Sequence, residues 1–297
     1  MRRPLGHTLK RLPRRLSPSA VGVCLLLLSI TLATLEAVVV RLLADRVGVG
    51  QLLLLRSLTQ MALALAIART LQGSILAALP TPRPGAHLLR SALTAVSWLC
   101  YYKSFQLLPI GLATTLMFSS QFFVLLLMRP ILNESVSRHS VVATSIGFVG
   151  VVVAAGLWHP QQVDWRVIFG FTSALLGAIM LLLTRALTRT ESSQTILFYM
   201  PTMVLLSALP QAWLDWRPLN ASDGAYLVVF AAVGTLASWA HVDAYRRARP
   251  SLLAPVTYMR LATGLGAGAL FFGDPITLAM TLGVGLILMG AWYSRRA

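Results

Sequence analysis

Between residues 20 and 294 the chain is a succession of apolar runs of about 20 residues, each ended by proline, glycine or charge. A helix needs about 20 mainly apolar residues to cross a hydrocarbon core roughly 30 Å thick. The runs fall at 20–44, 50–71, 88–108, 111–130, 138–157, 167–188, 194–213, 225–247, 251–272 and 276–294. The expected fold class is therefore all-α integral membrane, with ten transmembrane helices. Only 11% of residues are charged and 57% are hydrophobic, whereas a soluble chain carries about 25% charged residues. So few charges would not coat a water-facing surface.

Net charge is +16. In a soluble protein that would suggest nucleic acid, but membrane proteins retain Lys and Arg on the cytoplasmic side of their helices. The expected partners are the lipid bilayer and a small-molecule substrate, with no nucleic acid; a homodimer is left open. With the N-terminus inside, eighteen of the 25 basic residues fall at inner ends, six of them in the tail. Arg41, Arg46, Lys103, Arg166 and Arg217 fall at outer ends, and Arg56 and Arg260 within spans. An even number of spans places both termini in the cytoplasm. Residues 1–18, "MRRPLGHTLKRLPRRLSP", read as a basic cytoplasmic tail, and the long apolar run after it as an uncleaved helix rather than a signal peptide. Cys24 and Cys100 both lie in apolar segments, so neither a disulfide nor a metal site is indicated, and no cofactor is expected.

The sequence repeats. "SFQLLPIGLATTLMF" (Ser104–Phe118) aligns with "AYRRARPSLLAPVTY" (Ala244–Tyr258) at a shift of 140 residues. The same shift places Glu134 on Asp274, Ser137 on Thr277 and Gly150 on Gly290. An acid and a hydroxyl at a helix entrance have structural work to do: the acid favours the positive end of the helix dipole, and the hydroxyl caps free N–H groups. Five spans per half force the second half to enter the membrane in the opposite sense. Two inverted five-helix repeats are the architecture of secondary transporters, whose substrate sits between the halves near the midplane.

"RSALTAVSWLCYYKSFQLLPIGLATTLMFSSQFFVLLLMRPILNESVSRHSVVATSIGFVGVVV" (Arg90–Val153) resembles the end of an EamA repeat of the drug/metabolite transporter superfamily. It has an aromatic-plus-small run, "LP" with a small-residue turn, an apolar helix, an acid and Gly-x-x-Gly. "LFFGDPITLAMTLGVGLILMG" (Leu270–Gly290) is similar to the end of a second copy. Here Asp274-Pro275 stands where the family commonly has Glu, and Arg246 and Arg247 stand where it has small residues. The resemblance implies EamA-like repeats at 19–157 and 165–294. It further implies a carrier of small organic metabolites or drugs in a bacterial cytoplasmic membrane, often working outward by alternating access and open to proton coupling. "LEAVVVR" and "GQLLLLRSL" in the first two spans are also similar to S-adenosylmethionine uptake carriers.

Several charges lie too deep for a loop. Glu36 sits about eight residues, ~12 Å, below the outer end of its span, and Arg56 about six residues, ~9 Å, below the same surface. Charge at such depth is expensive and usually functional. Glu36 either binds a proton or a cationic group of the substrate, or forms a structural pair with Arg56. Arg260 lies ~14 Å into its span, where it would face water or an anion. Asp243 and Arg247 are spaced i, i+4 for an interfacial ion pair. His241 reads as a packed residue and Lys103 as one that snorkels. Trp98 and Tyr102 belong to an aromatic patch that either stacks on a planar substrate or simply packs. Ser119, Ser120 and Gln121 are polar groups at mid-depth that need partners, and Tyr258 faces Phe118 in the repeat. These complete the candidate substrate-binding set.

"GLGAGAL" (Gly264–Leu270) lacks nucleotide-loop spacing and suits close helix packing. No Walker motif, H-E-x-x-H or G-x-S-x-G occurs, so the chain is not expected to be an enzyme. A membrane-embedded enzyme or non-transporting sensor stands as the contrasting class.

Overall fold

The structure is a computed structural model and describes residues 17–72, 84–133, 136–157, 164–187, 193–248 and 250–294. Among these residues every regular element is an α-helix: α1 (Pro18–Leu42), α2 (Val49–Gln72), α3 (Pro84–Leu107), α4 (Ile110–Met117), α5 (Ser120–Leu132), α6 (Arg138–Ala154), α7 (Val167–Leu187), α8 (Ser193–Leu214), α9 (Ala221–Arg247), α10 (Pro250–Thr257), α11 (Met259–Phe272) and α12 (Leu278–Ser294). Among the described residues four stretches are long and apolar enough to cross a membrane: Pro18–Leu42, Ile110–Leu132, Val167–Thr184 and Ala221–Arg247. Others are apolar but shorter, with α6 and α12 at 17 residues each.

The helices start where short polar side chains cap them. Ser17 accepts from the Ala20 amide at 3.2 Å ahead of Pro18. Asn220 accepts from Asp223 at 2.8 Å. Ser137 and Thr277, paired by the repeat, accept from the Ser140 and Met280 amides at 3.1 and 3.2 Å. Each cap satisfies an N–H that has no intrahelical partner. The acid of the same motif acts elsewhere than expected. Asp274 lies ahead of α12 but accepts the Ile110 amide at the start of α4, at 3.2 Å, and forms a two-pronged ion pair with Arg41 on α1. Its counterpart Glu134 lies outside the described residues.

The fourth and ninth apolar runs, expected as single helices, are each broken once. At the first break Phe118 and Ser119 bond back three residues, to Thr115 and Leu116, at 3.0 and 3.1 Å. The Ser119 hydroxyl also donates to Leu116 O at 2.6 Å. A side chain competing for a helix carbonyl in this way bends the helix, and the tightened turn keeps its amides bonded. At the second break Leu261 bonds back to Tyr258 at 3.0 Å. Both broken helices end on a left-handed residue, Asn133 (φ 58°) and Gly273 (φ 65°), residue types that tolerate this conformation.

Breaks and left-handed caps thus recur at the 140-residue shift, and the packing recurs with them. A β-carbon on Gly150 of α6 would meet Gly283 O at 2.5 Å and Ile287 on α12; one on Gly290 would meet Ala143 O at 2.5 Å and Gly147 on α6. Subtracting 140 from one set of positions and adding it to the other exchanges the two contacts. Because the register rises on α6 as it falls on α12, these equivalent helices run antiparallel. The two-fold relation between the halves is therefore perpendicular to them. Other helix pairs obey the same exchange: α1 packs on α9 as α7 packs on α3, and α1 on α11 as α7 on α5.

Candidate substrate pocket

A cavity of about 610 Å³ lies within the helix bundle, its walls drawn from α1, α2, α3, α7, α9 and the two broken helices. Beyond Glu36 along α1 the interior closes into a solid apolar core that includes Leu43, Leu52, Leu108, Ile110, Leu116 and Phe230. Past that core, ion pairs tie the same end. Arg41 meets Asp274 and also stands 4.4 Å from the Phe272 ring centroid. Arg46 meets the buried Asp223 at 3.0 Å, and Gln51 holds the Arg217 backbone carbonyl at 2.9 Å. Arg166 and Arg217 stand 3.8 and 3.7 Å from Asp164 and Asp215. Four of the five basic residues assigned to the outer end therefore have an acidic partner. On the cavity's other side its lining residues Leu181, His241 and Val242 are exposed.

Glu36 and Arg56 meet in the cavity wall. Their side chains are each 6% exposed, with Arg56 Nη1 3.5 Å from Glu36 Oε1. Tyr102 donates its hydroxyl to that same oxygen at 2.9 Å. Arg56 Nη2 donates to Ser238 Oγ at 3.0 Å, and its guanidinium stands 5.7 Å from the Trp98 ring centroid. Helices α1, α2, α3 and α9 are joined through this one cluster. A buried charge is tolerable only when paired and hydrogen-bonded. Glu36 meets that condition, whereas Arg56 meets it in part, with Nε and Nη1 buried and lacking a hydrogen-bond partner among the described residues.

Gly234 makes the approach of α9 sufficiently close. A β-carbon there would lie 1.7 Å from Arg56 Nη1 and 2.7 Å from Glu36 Oε1. Gly234→Ala is expected to push the guanidinium off its partners and lower stability by roughly 1–3 kcal/mol, the usual range for overpacking. Thermal unfolding in detergent checks this against Gly224→Ala on the same helix, where a β-carbon meets nothing within 4 Å. Equal melting temperatures for the two variants would contradict it.

Arg260 faces the cavity from α11, with Nη2 donating to the Tyr101 hydroxyl at 2.7 Å. Trp98, Ser120 and Gln121 also line it. Two candidates are placed away from the lining. Ser119 is fully buried, its hydroxyl spent on the helix break. Tyr258 stacks on Phe118, with ring centroids 5.5 Å apart and planes 24° from parallel. Phe105 is core, edge-on to Tyr101 at 4.8 Å. Asp243 and Arg247 form the i, i+4 pair at 2.7 Å. His241 lines the cavity and packs against Tyr245.

The sequence reading missed the α7 wall: Ser173, Ala174, Gly177 and Ala178. The Ser97 hydroxyl donates to Ser173 O at 3.1 Å. Their spacing of i, i+1, i+4 and i+5 marks one helix face of small residues, a signal present in "SALLGA". Gly234 and Ser238 were missed as well. No cluster of three or more metal-ligating side chains occurs among the described residues.

Both halves match a known family model, the EamA-like transporter family, over residues 20–156 and 164–295. A riboflavin transporter of Rhizobium johnstonii is 30% identical over 224 residues, covering 74% of this chain and 73% of that protein. An S-adenosylmethionine uptake transporter of Rickettsia conorii is 26% identical over 196 residues, covering 66% of each chain. A pseudopaline exporter of Pseudomonas aeruginosa is 23% identical over 205 residues, covering 69% of this chain and 72% of its own. A solved crystal structure superposes with a TM-score of 0.60 at 17% identity, over 94% of this chain and 98% of the other, which is a likeness of fold.

Proposed function

The chain belongs to the EamA-like transporter family, as a multi-pass membrane protein that moves a small molecule, and from that premise we propose a secondary carrier with ten spans in two inverted five-helix repeats, working by alternating access. The observation that carries this reading is a cavity between equivalent halves, closed at one end by core and ion pairs and lined at the other by exposed residues. Alternating access requires such asymmetry about a site shared by two inverted halves. With basic residues marking the cytoplasmic side, the closed end is outward and the cavity faces the cytoplasm. Both termini are then cytoplasmic, in a bacterial inner membrane. The units are a basic tail (1–18) and repeats at 19–157 and 165–294.

Trp98, Tyr102, Ser120, Gln121 and Arg260 are the residues we assign to substrate contact, with the Glu36–Arg56 pair as the wall behind them. The family resemblance alone implies export. The S-adenosylmethionine uptake relative is more similar to this chain than the pseudopaline exporter is, and that favours uptake.

Reconstitution in liposomes provides the test. Labelled riboflavin, S-adenosylmethionine and an amino-acid panel are expected to include a compound that exchanges across the membrane, faster with unlabelled compound trapped on the far side. Proton coupling would appear as accumulation that follows an imposed pH gradient. Binding without net flux or exchange of any compound would instead place the chain among sensors or enzymes.

A further inference from the structure

The charges in the cavity wall do not cancel. Glu36 neutralises Arg56, and its Oε1 also takes the Tyr102 hydroxyl. Arg260 lies in the same wall and has no carboxylate within ion-pair distance among the described residues. Its single side-chain hydrogen bond there is Nη2 to the Tyr101 hydroxyl. That phenol stands beside the guanidinium, whose carbon is 6.0 Å from the Tyr101 ring centroid, and Tyr101 is held by edge-on contacts with Tyr102 and Phe105. The guanidinium is thus fixed at one end, while Nε and Nη1 make no hydrogen bond among the described residues. The repeat gives no reason for a cation here, since the equivalent position in the first half is Ser120, which also lines the cavity.

We propose that Arg260 is the anion-recognition residue of the pocket, taking a single carboxylate of an organic substrate, with Tyr101 as its positioning residue. The inference rests on reading this cavity as the substrate pocket. An unpaired cation deep in a low-dielectric wall is costly, and a planar guanidinium with a free edge matches a carboxylate in two parallel hydrogen bonds. One unmatched positive charge suits a monoanion. A doubly charged phosphate would call for a second cation, and Arg56 is already engaged.

Matched pairs test the proposal on purified, detergent-solubilised protein: indole-3-acetate against indole-3-acetamide, and flavin mononucleotide against riboflavin. Affinities come from titration calorimetry and thermal shift. The expected result is at least tenfold tighter binding of the indole acid than of its amide. Arg260→Gln removes that difference and Arg260→Lys retains part of it, while Tyr101→Phe weakens acid binding alone. Equal binding of acid and amide by the parent protein overturns the proposal, as does failure of the acid to bind at all. A preference confined to the flavin pair reassigns the anion to phosphate and overturns the carboxylate form. Flux separates this idea from the transport reading. Unchanged riboflavin exchange by Arg260→Gln, with no acid preference in the parent, sinks the anion site and leaves the carrier standing. An acid preference with no flux of any probe does the reverse.

Discussion

Glu36→Gln is expected to reduce the folded protein sharply, by roughly 3–5 kcal/mol, the usual cost of removing one partner from a buried ion pair. Arg56 would keep its charge in a wall where Ser238 is its only hydrogen-bonded partner among the described residues, and Tyr102 would lose its ionic acceptor. Total stabilities of 5–15 kcal/mol leave little reserve against such a loss. The measurement is monodisperse yield from the membrane, together with the unfolding midpoint. Glu36→Gln/Arg56→Met is expected to recover most of both, because a buried pair replaced by neutral groups is often close to neutral in stability. A different outcome would change the role of Glu36. If the single variant is abundant and folded but loses transport or its pH dependence, the carboxylate meets protons or substrate and the pair is not framework.

The second large effect concerns helix packing. Gly150→Leu would drive a side chain into the Gly283 carbonyl, and Gly290→Leu into the Ala143 carbonyl, both 2.5 Å from the first added carbon. The obstacles are backbone atoms of a facing helix and cannot rotate away, so α6 and α12 must separate. We expect each variant to lose at least the 1–3 kcal/mol typical of overpacking, and the two losses to agree within about 0.5 kcal/mol, since the repeat makes the sites equivalent. Gly285→Leu, on α12 but with nothing within 4 Å of its β-carbon, is the control. Unfolding midpoints measured side by side check the agreement. A harmless Gly150→Leu beside a ruinous Gly290→Leu would deny the equivalence.

Much of this architecture was legible in the residues because lipid enforces simple rules. Apolar length marks the helices, and the 140-residue echo foretold two equivalent halves. Matching depth made a Glu36–Arg56 pair one of two readings, since antiparallel neighbours of equal depth can touch, and the structure places the two side chains 3.5 Å apart. What escaped depended on partners distant in sequence. Nothing near Asp274 reveals that its carboxylate serves α4 and Arg41. Gly234 looks like any glycine in an apolar helix until a guanidinium is found against it. The helix break at Phe118–Ser119 carries no proline, and the serine that bends it was read instead as a ligand for substrate; Pro255, three residues before the break at Tyr258, was a cue left unused. Depth shows which groups are costly, and only packing shows which neighbour relieves the cost.

The stack of Phe118 on Tyr258 has a consequence of its own. These residues are equivalent under the repeat, so their contact is carried into itself when the halves trade places. Arg41–Asp274 has no such property, since trading places moves it to different residues. If the halves exchange shapes during a cycle, off-axis contacts must be made and broken in turn, whereas a ring pair on the axis can persist throughout. The two aromatic rings then act as a fulcrum, and the bent helices on either side as the arms of a balance.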